Sequence, residues 1–252
     1  MKTLISVLIL AFAASAMAQS TDDYSATREK IQAAMAADSR SEADTARDDN
    51  RMPVETLEFF GLRDDMKVVE LFPGGGWYTQ LLAPTLAENG EFYVALGTGR
   101  VKENFAGQPG FENMQIVAED ANIFRPEGSR FYVIETDGLG VTDADIVFTF
   151  RNYHNFGPEG RAAVNAAVYD ALKPGGFYAV VDHTRRHMQP DDPENRRRID
   201  PVLTIHEIQS AGFRLVAFSD LHYRADDELQ YEVGRKTVTG NTDRFTLMFV
   251  KE

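Results

Sequence analysis

The chain has 252 residues, which fits one large α/β domain, or one domain with extensions, and suffices to bury a substantial core. Hydrophobic residues make up 43% and charged residues 26%, the balance of a soluble globular protein. Acidic residues outnumber basic ones by 39 to 26, and the resulting formal charge of −13 argues against sequence-independent binding to nucleic acid or anionic lipid; the absence of cysteine excludes disulfides, thiolate metal sites and cysteine nucleophiles.

Lys2, the apolar run Leu4 to Ala14 and the small-x-small triplet Ala16-Met17-Ala18 have the layout of a secretory signal peptide, cut between Ala18 and Gln19. The run is short for a bilayer span, and no later stretch reaches that length, so no stable membrane anchor is expected; an uncleaved anchor is the alternative. Export without disulfides fits a bacterial periplasm. Residues 19–52 read as an arm. Ala26 to Ala36 predicts a helix with Ile31 and Met35 on one face, and Arg40 to Arg51 is dense in both charges.

From residue 53 the chain reads as the main domain. Pro53 opens a short helix carrying Val54, Leu57 and Phe60 and ending near Gly61. Strands are predicted at 67–72, 91–96, 113–118, 145–150, 177–182, 213–220 and 245–250, and helices at 77–87, 101–105, 158–172 and 204–211. Lys173-Pro174-Gly175-Gly176 should stop the third of these helices, and Gly212 the fourth. Apolar strands alternating with helices predict a largely parallel sheet covered on both faces. Two polar insertions interrupt the pattern, at 185–198 and 223–243.

Chemistry concentrates where strands end. Glu70 closes the first strand, and Pro73-Gly74-Gly75-Gly76-Trp77 leads into a helix; glycines there allow a tight turn and close approach to a ligand, with free N–H groups beyond. The Gly-x-Gly-x-x-Gly spacing of a dinucleotide site is missing, which disfavours a nicotinamide oxidoreductase. A ligand-free strand-to-helix turn is the plain alternative.

Glu70-x-x-x-Gly74-x-Gly76 resembles the first motif of class I S-adenosylmethionine-dependent methyltransferases, with Phe72 in place of the first glycine. Leu172-Lys173-Pro174-Gly175-Gly176 is similar to the turn before their fifth strand, and Ala211-Gly212-Phe213 to the entry of their sixth. The likeness runs over about residues 53–252. It is nearest to a bacterial group of predicted exported methyltransferases, through Arg47-Asp48-x-x-Arg51-x-Pro53, Gly75-Gly76-Trp77-Tyr78-Thr79, Phe150-Arg151-Asn152-Tyr153-His154-Asn155 and Thr242-Asp243-Arg244-Phe245. The resemblance implies a Rossmann-like α/β fold: a mostly parallel seven-stranded sheet, its last strand antiparallel, with helices on both faces. It implies S-adenosyl-L-methionine as cofactor, cradled by Glu70, Gly74, Gly75 and Gly76, with Asp120-Ala121 at the adenine. A cap or turn role is the alternative for Asp120. The second strand ends Val94-Ala95-Leu96-Gly97, without the acid such families place at the ribose.

Arg151 to Asn155 follows a strand, at the edge where open α/β sheets bind ligands. His154 is the candidate base, with Tyr153 stacking on or positioning a substrate and Asn152 orienting it. Trp77, Tyr78, Arg151, Asn155, Asp182 and His183 are candidate substrate contacts. Asp182, His183 and His187 do not have a convincing metal spacing, and no metal is expected. Arg196-Arg197-Arg198 either meets an anionic substrate or pairs with Asp191, Asp192 and Glu194 on a solvated loop. The expected function is methyl transfer to a small-molecule or exposed protein acceptor. The alternative is an exported, non-catalytic binding protein on a degenerate version of the same fold.

Overall fold

A computed structural model describes residues 24–252; the leader read at residues 1–18 and the start of the arm lie outside that range. The arm forms α1 (Ser25–Met35) and two single-turn helices, α2 (Glu42–Thr45) and α3 (Asp48–Arg51). Ser41 caps α2 by accepting from the Asp44 N–H. Left-handed Met52 then reverses the chain into α4 (Pro53–Phe59), with Pro53 in its first turn.

The sheet begins with β1 (Lys67–Leu71), followed by α5 (Thr79–Leu86), β2 (Glu91–Ala95), α6 (Gly99–Phe105) and β3 (Met114–Val117). A small antiparallel ribbon, β4 (Asn122–Phe124) with β5 (Val133–Glu135), stands apart from it. Then come β6 (Ala144–Phe150), α7 (Pro158–Ala171), β7 (Leu172–His183), α8 (Pro201–Ser210), β8 (Phe213–Ser219) and β9 (Arg244–Lys251). The main sheet has seven strands in the order β3-β2-β1-β6-β7-β9-β8. Only β9 runs against its neighbours, pairing antiparallel with both β7 and β8. The order reverses between β1 and β6, so a crevice opens beyond their carboxyl ends.

Strand periodicity sorts the side chains into two cores. Val69, Leu71, Val147 and Val180 face α7 and α8, while Val68, Ile146, Phe148 and Val181 face α1, α4 and α5. Ile31 of the arm is fully buried in the second core, a contribution of about 2 kcal/mol to holding the arm in place. Glu70 points to that same face, so its carboxylate lies beneath α5. The expected stop at Lys173-Pro174-Gly175-Gly176 takes another form. Extended backbone resumes at Leu172, and the four residues sit in a register shift between the Ala144–Leu172 and Ile146–Phe177 pairings. No helix among the described residues is long and apolar enough to cross a membrane.

Candidate active site

A cavity of about 630 Å³ opens at the carboxyl ends of β1 and β6. Its floor is the glycine turn and the segment after β6. Its sides are the arm, through Arg47 and Arg51, and the second insertion, through Gly234 and Gly240. The polar composition of the arm and the insertion gives no sign that both fold back over the sheet edge.

Strained backbone ends four of the parallel strands at this edge, and two of these residues, Phe72 and Arg151, line the cavity. Phe72, Leu96, Ala118 and Arg151 immediately follow β1, β2, β3 and β6, and all four have left-handed φ angles between 50° and 61°. Phe72 thus adopts, at φ 50°, the conformation that a glycine would supply at the same place. Its carbonyl accepts from Asn152 Nδ2 at 3.0 Å, and the same nitrogen donates to the Phe150 carbonyl at 2.9 Å. Asn152 therefore staples the ends of β1 and β6 together. Gly74 and Gly75 line the cavity, and a Cβ on Gly75 would meet nothing within 4 Å, which leaves the turn open to a ligand. Gly76 serves packing: a Cβ there would collide with the Phe105 ring of α6.

Glu70 is buried at the cavity floor and accepts from Thr79 Oγ1 at 2.6 Å. Burial pushes its carboxyl up to about 7, against the opposing pull of the Thr79 hydrogen bond and the Arg51 charge. Trp77 and Tyr78 both line the cavity. Trp77 Nε1 donates to the Asp44 carbonyl at 2.9 Å, joining the glycine turn to the arm. Tyr78 stacks on Phe150, ring centroids 3.6 Å apart.

His154 sits on a 3-10 turn, Tyr153–Asn155, and lines the cavity. Its Nδ1 is 2.6 Å from Asp182 Oδ1, and its backbone N–H donates to Oδ2 of the same carboxylate at 2.9 Å. Asp182 is fully buried at the end of β7, so it does not touch the cavity as expected. Instead it fixes the imidazole and leaves Nε2 as the nitrogen available for chemistry. His183 lines the cavity, its ring 5.9 Å from that of His154, with Nδ1 2.9 Å from Thr242 Oγ1. Burial first, with the Arg151 charge adding to it, holds His183 well below the usual histidine range, hence neutral.

Other expected residues lie elsewhere. Tyr153 is turned into the core, where it donates to Glu207 at 3.1 Å and accepts from Asn165 at 2.9 Å, and it does not line the cavity. Asp120 is exposed after β3, and neither it nor Ala121 reaches the cavity; Ala121 packs against the core. Asn155 does line it. Arg196 and Arg197 pair with Glu232, and Arg198 is buried against Asp227, so the run does not pair with Asp191, Asp192 and Glu194 as one reading held. His187 turns away to Asp200, and among the described residues no group of three potential ligands could hold a metal.

No family model and no curated protein matches the chain. Solved structures do. One is an S-adenosylmethionine-dependent methyltransferase from Aquifex aeolicus, 15% identical, with a TM-score of 0.57 over 89% of this chain and 98% of that one. Human N-acetylserotonin methyltransferase, solved in complex with S-adenosylmethionine, is 16% identical, with a TM-score of 0.52 over 90% of this chain and 57% of that one. The cyclase SpnF is 11% identical, with a TM-score of 0.53 over 90% and 93%. The chain therefore has the Rossmann-like fold of these methyltransferases, a fold that by itself fixes no reaction.

Proposed function

We propose that this protein is an exported methyltransferase that uses S-adenosyl-L-methionine. The observation that carries the reading is one cavity lined by both the glycine turn with Glu70 and by His154, which the buried Asp182 holds from behind. The residues present fit the cofactor's methionine end. Gly75 leaves open space beside the turn, and Glu70 offers a carboxylate to a cationic group. When bound, the cofactor supplies a methyl group on a sulfonium, ready for in-line displacement. The chain's own part is largely positioning in a confined space. His154 takes the proton released by the acceptor at Nε2, and Asp182 stabilises the imidazolium and holds its orientation. Asn152 keeps the two strand ends at fixed spacing.

A second reading has its own support. β2 ends without an acid, and Asp120 lies outside the cavity, so the adenosine half lacks the expected carboxylates. That favours a binding protein on a degenerate methyltransferase fold. Calorimetry of the mature protein with S-adenosylmethionine and S-adenosylhomocysteine separates the two: no heat and no thermal stabilisation at millimolar ligand would sink the methyltransferase reading. His154→Ala should lower turnover by about 10²-fold or more while leaving cofactor affinity within a few-fold; an unchanged rate would remove His154 as base. Export is tested by expression in a bacterial host, where intact-mass analysis of the periplasmic fraction should give a chain starting at Gln19.

A further inference from the structure

The chain is acidic, yet its cavity is not. Six arginines line it, against two acids, Asp44 and Glu70. Some of that charge is answered: Arg47 pairs with Asp44, and Arg197 with Glu232. Among the described residues, Arg51, Arg151 and Arg244 have no carboxylate partner. Each comes from a different place: Arg51 from the end of α3, Arg151 from the turn after β6, and Arg244 from the start of β9. All three line the cavity together with Tyr78, and the Arg51 guanidinium lies 5.8 Å from the Tyr78 ring.

These are costly positions for cations. Arg51 is 4% exposed and Arg244 5%. Arg51 Nη1 and Arg151 Nε are out of water and have no hydrogen-bond partner. Arg244 gives Nη2 to the Asn50 carbonyl at 2.5 Å, which positions it without neutralising it. Burial pulls the Arg51 guanidinium down to about 8, and Arg151 adds to the effect. An arginine stays charged in practice, so burial leaves a cation that no carboxylate within hydrogen-bond reach neutralises. The neighbouring acids bond elsewhere: Asp182 to His154, Asp243 to the Arg224 N–H, and Glu70, in the same cavity, to Thr79. Paired guanidinium donors match the geometry of an oxyanion.

We propose that Arg51, Arg151 and Arg244 form an oxyanion site, and that the methyl acceptor carries a phosphate or carboxylate group seated there. The second half rests on the methyltransferase reading; the first half does not. The cofactor's own carboxylate is a poor match for the whole set, because one carboxylate, accompanied by an ammonium and a sulfonium, leaves three guanidinium groups unbalanced.

Inorganic phosphate and acetate are titrated into the mature protein at constant ionic strength, with and without saturating S-adenosylhomocysteine. Heat is one readout. The fluorescence of Trp77, the single tryptophan, is the other, since the Arg51 guanidinium lies 4.1 Å from its ring. Saturable phosphate or acetate binding is expected, weakened at least tenfold by Arg151→Met and Arg244→Met and several-fold by Arg151→Lys, which keeps the charge and loses the fork. Tighter binding of phosphate assigns a phosphate ester to the acceptor, and tighter binding of acetate a carboxylate. Equal affinity in wild type and Arg151→Lys, or no saturable response to either anion, overturns the site. Displacement of both anions by S-adenosylhomocysteine also overturns it, because the arginines then serve the cofactor. Anion binding without S-adenosylhomocysteine binding keeps the site and sinks the methyltransferase reading; the reverse sinks the anion site alone.

Discussion

Glu70 is an acid that the fold keeps from ionising freely. Its carboxyl is raised to about 7 from an ordinary value of 4.5. The folded state therefore holds the proton more tightly than the unfolded chain does. The resulting stability is fully present below about pH 4.5 and is lost as pH rises through about 7. Glu70→Gln removes this titration, so the variant should gain on wild type by up to about 3 kcal/mol between pH 4.5 and 8, at 1.36 kcal/mol per pKa unit. Denaturant melts across that range check it, and parallel curves would mean that Glu70 titrates normally. The residue was legible as a site from its place at a strand end before three glycines. Phe72 reads there as a departure from the methyltransferase motif, and its φ of 50° gives the turn the left-handed backbone that a glycine would supply. Tyr153 was not legible: neighbours on a 3-10 turn point in different directions, and the sequence does not say which one faces the cavity.

Strands and helices with clear periodicity were readable nearly to their ends, because each buries an apolar face. The elements that escaped are too short to show a period: α2, α3 and the three-residue strands of the β4–β5 ribbon. What the sequence hid altogether was strain. Four strand ends turn through left-handed, non-glycine residues, a conformation costing about 1–2 kcal/mol each. Two alanines, both partly buried, measure it. Ala118→Gly relieves strain at φ 51° and should be close to neutral. Ala163→Gly, inside α7, should lose about 1 kcal/mol through helix propensity. Equal losses in thermal melts would show that the strand ends store no strain.

At the scale of the molecule, the arm and the last third of the chain are tied together beside the cavity. His222 is fully buried; its Nε2 lies 3.1 Å from the Arg51 carbonyl and its Nδ1 2.7 Å from Thr246 Oγ1. The first contact makes Nε2 the donor, and in the neutral ring Nδ1 then accepts from the Thr246 hydroxyl. Burial, then the Arg244 charge, holds it down to about 4 from an ordinary 6.5. This tie contributes stability above about pH 6.5 and loses it as pH falls toward 4. Trp77 emission should shift red over that interval as the arm loosens, and His222→Gln should flatten the shift; a wild-type spectrum constant to pH 4 would exclude the tie. The same arrangement has a kinetic consequence. Arg51 reaches its histidine across 171 residues, and Asn50 reaches Arg244 across 194. Contacts that close loops of this length form late, after the local strand–helix units have condensed. Refolding should therefore recover far-ultraviolet ellipticity before Trp77 fluorescence, with the cavity the last part of the protein to come into being.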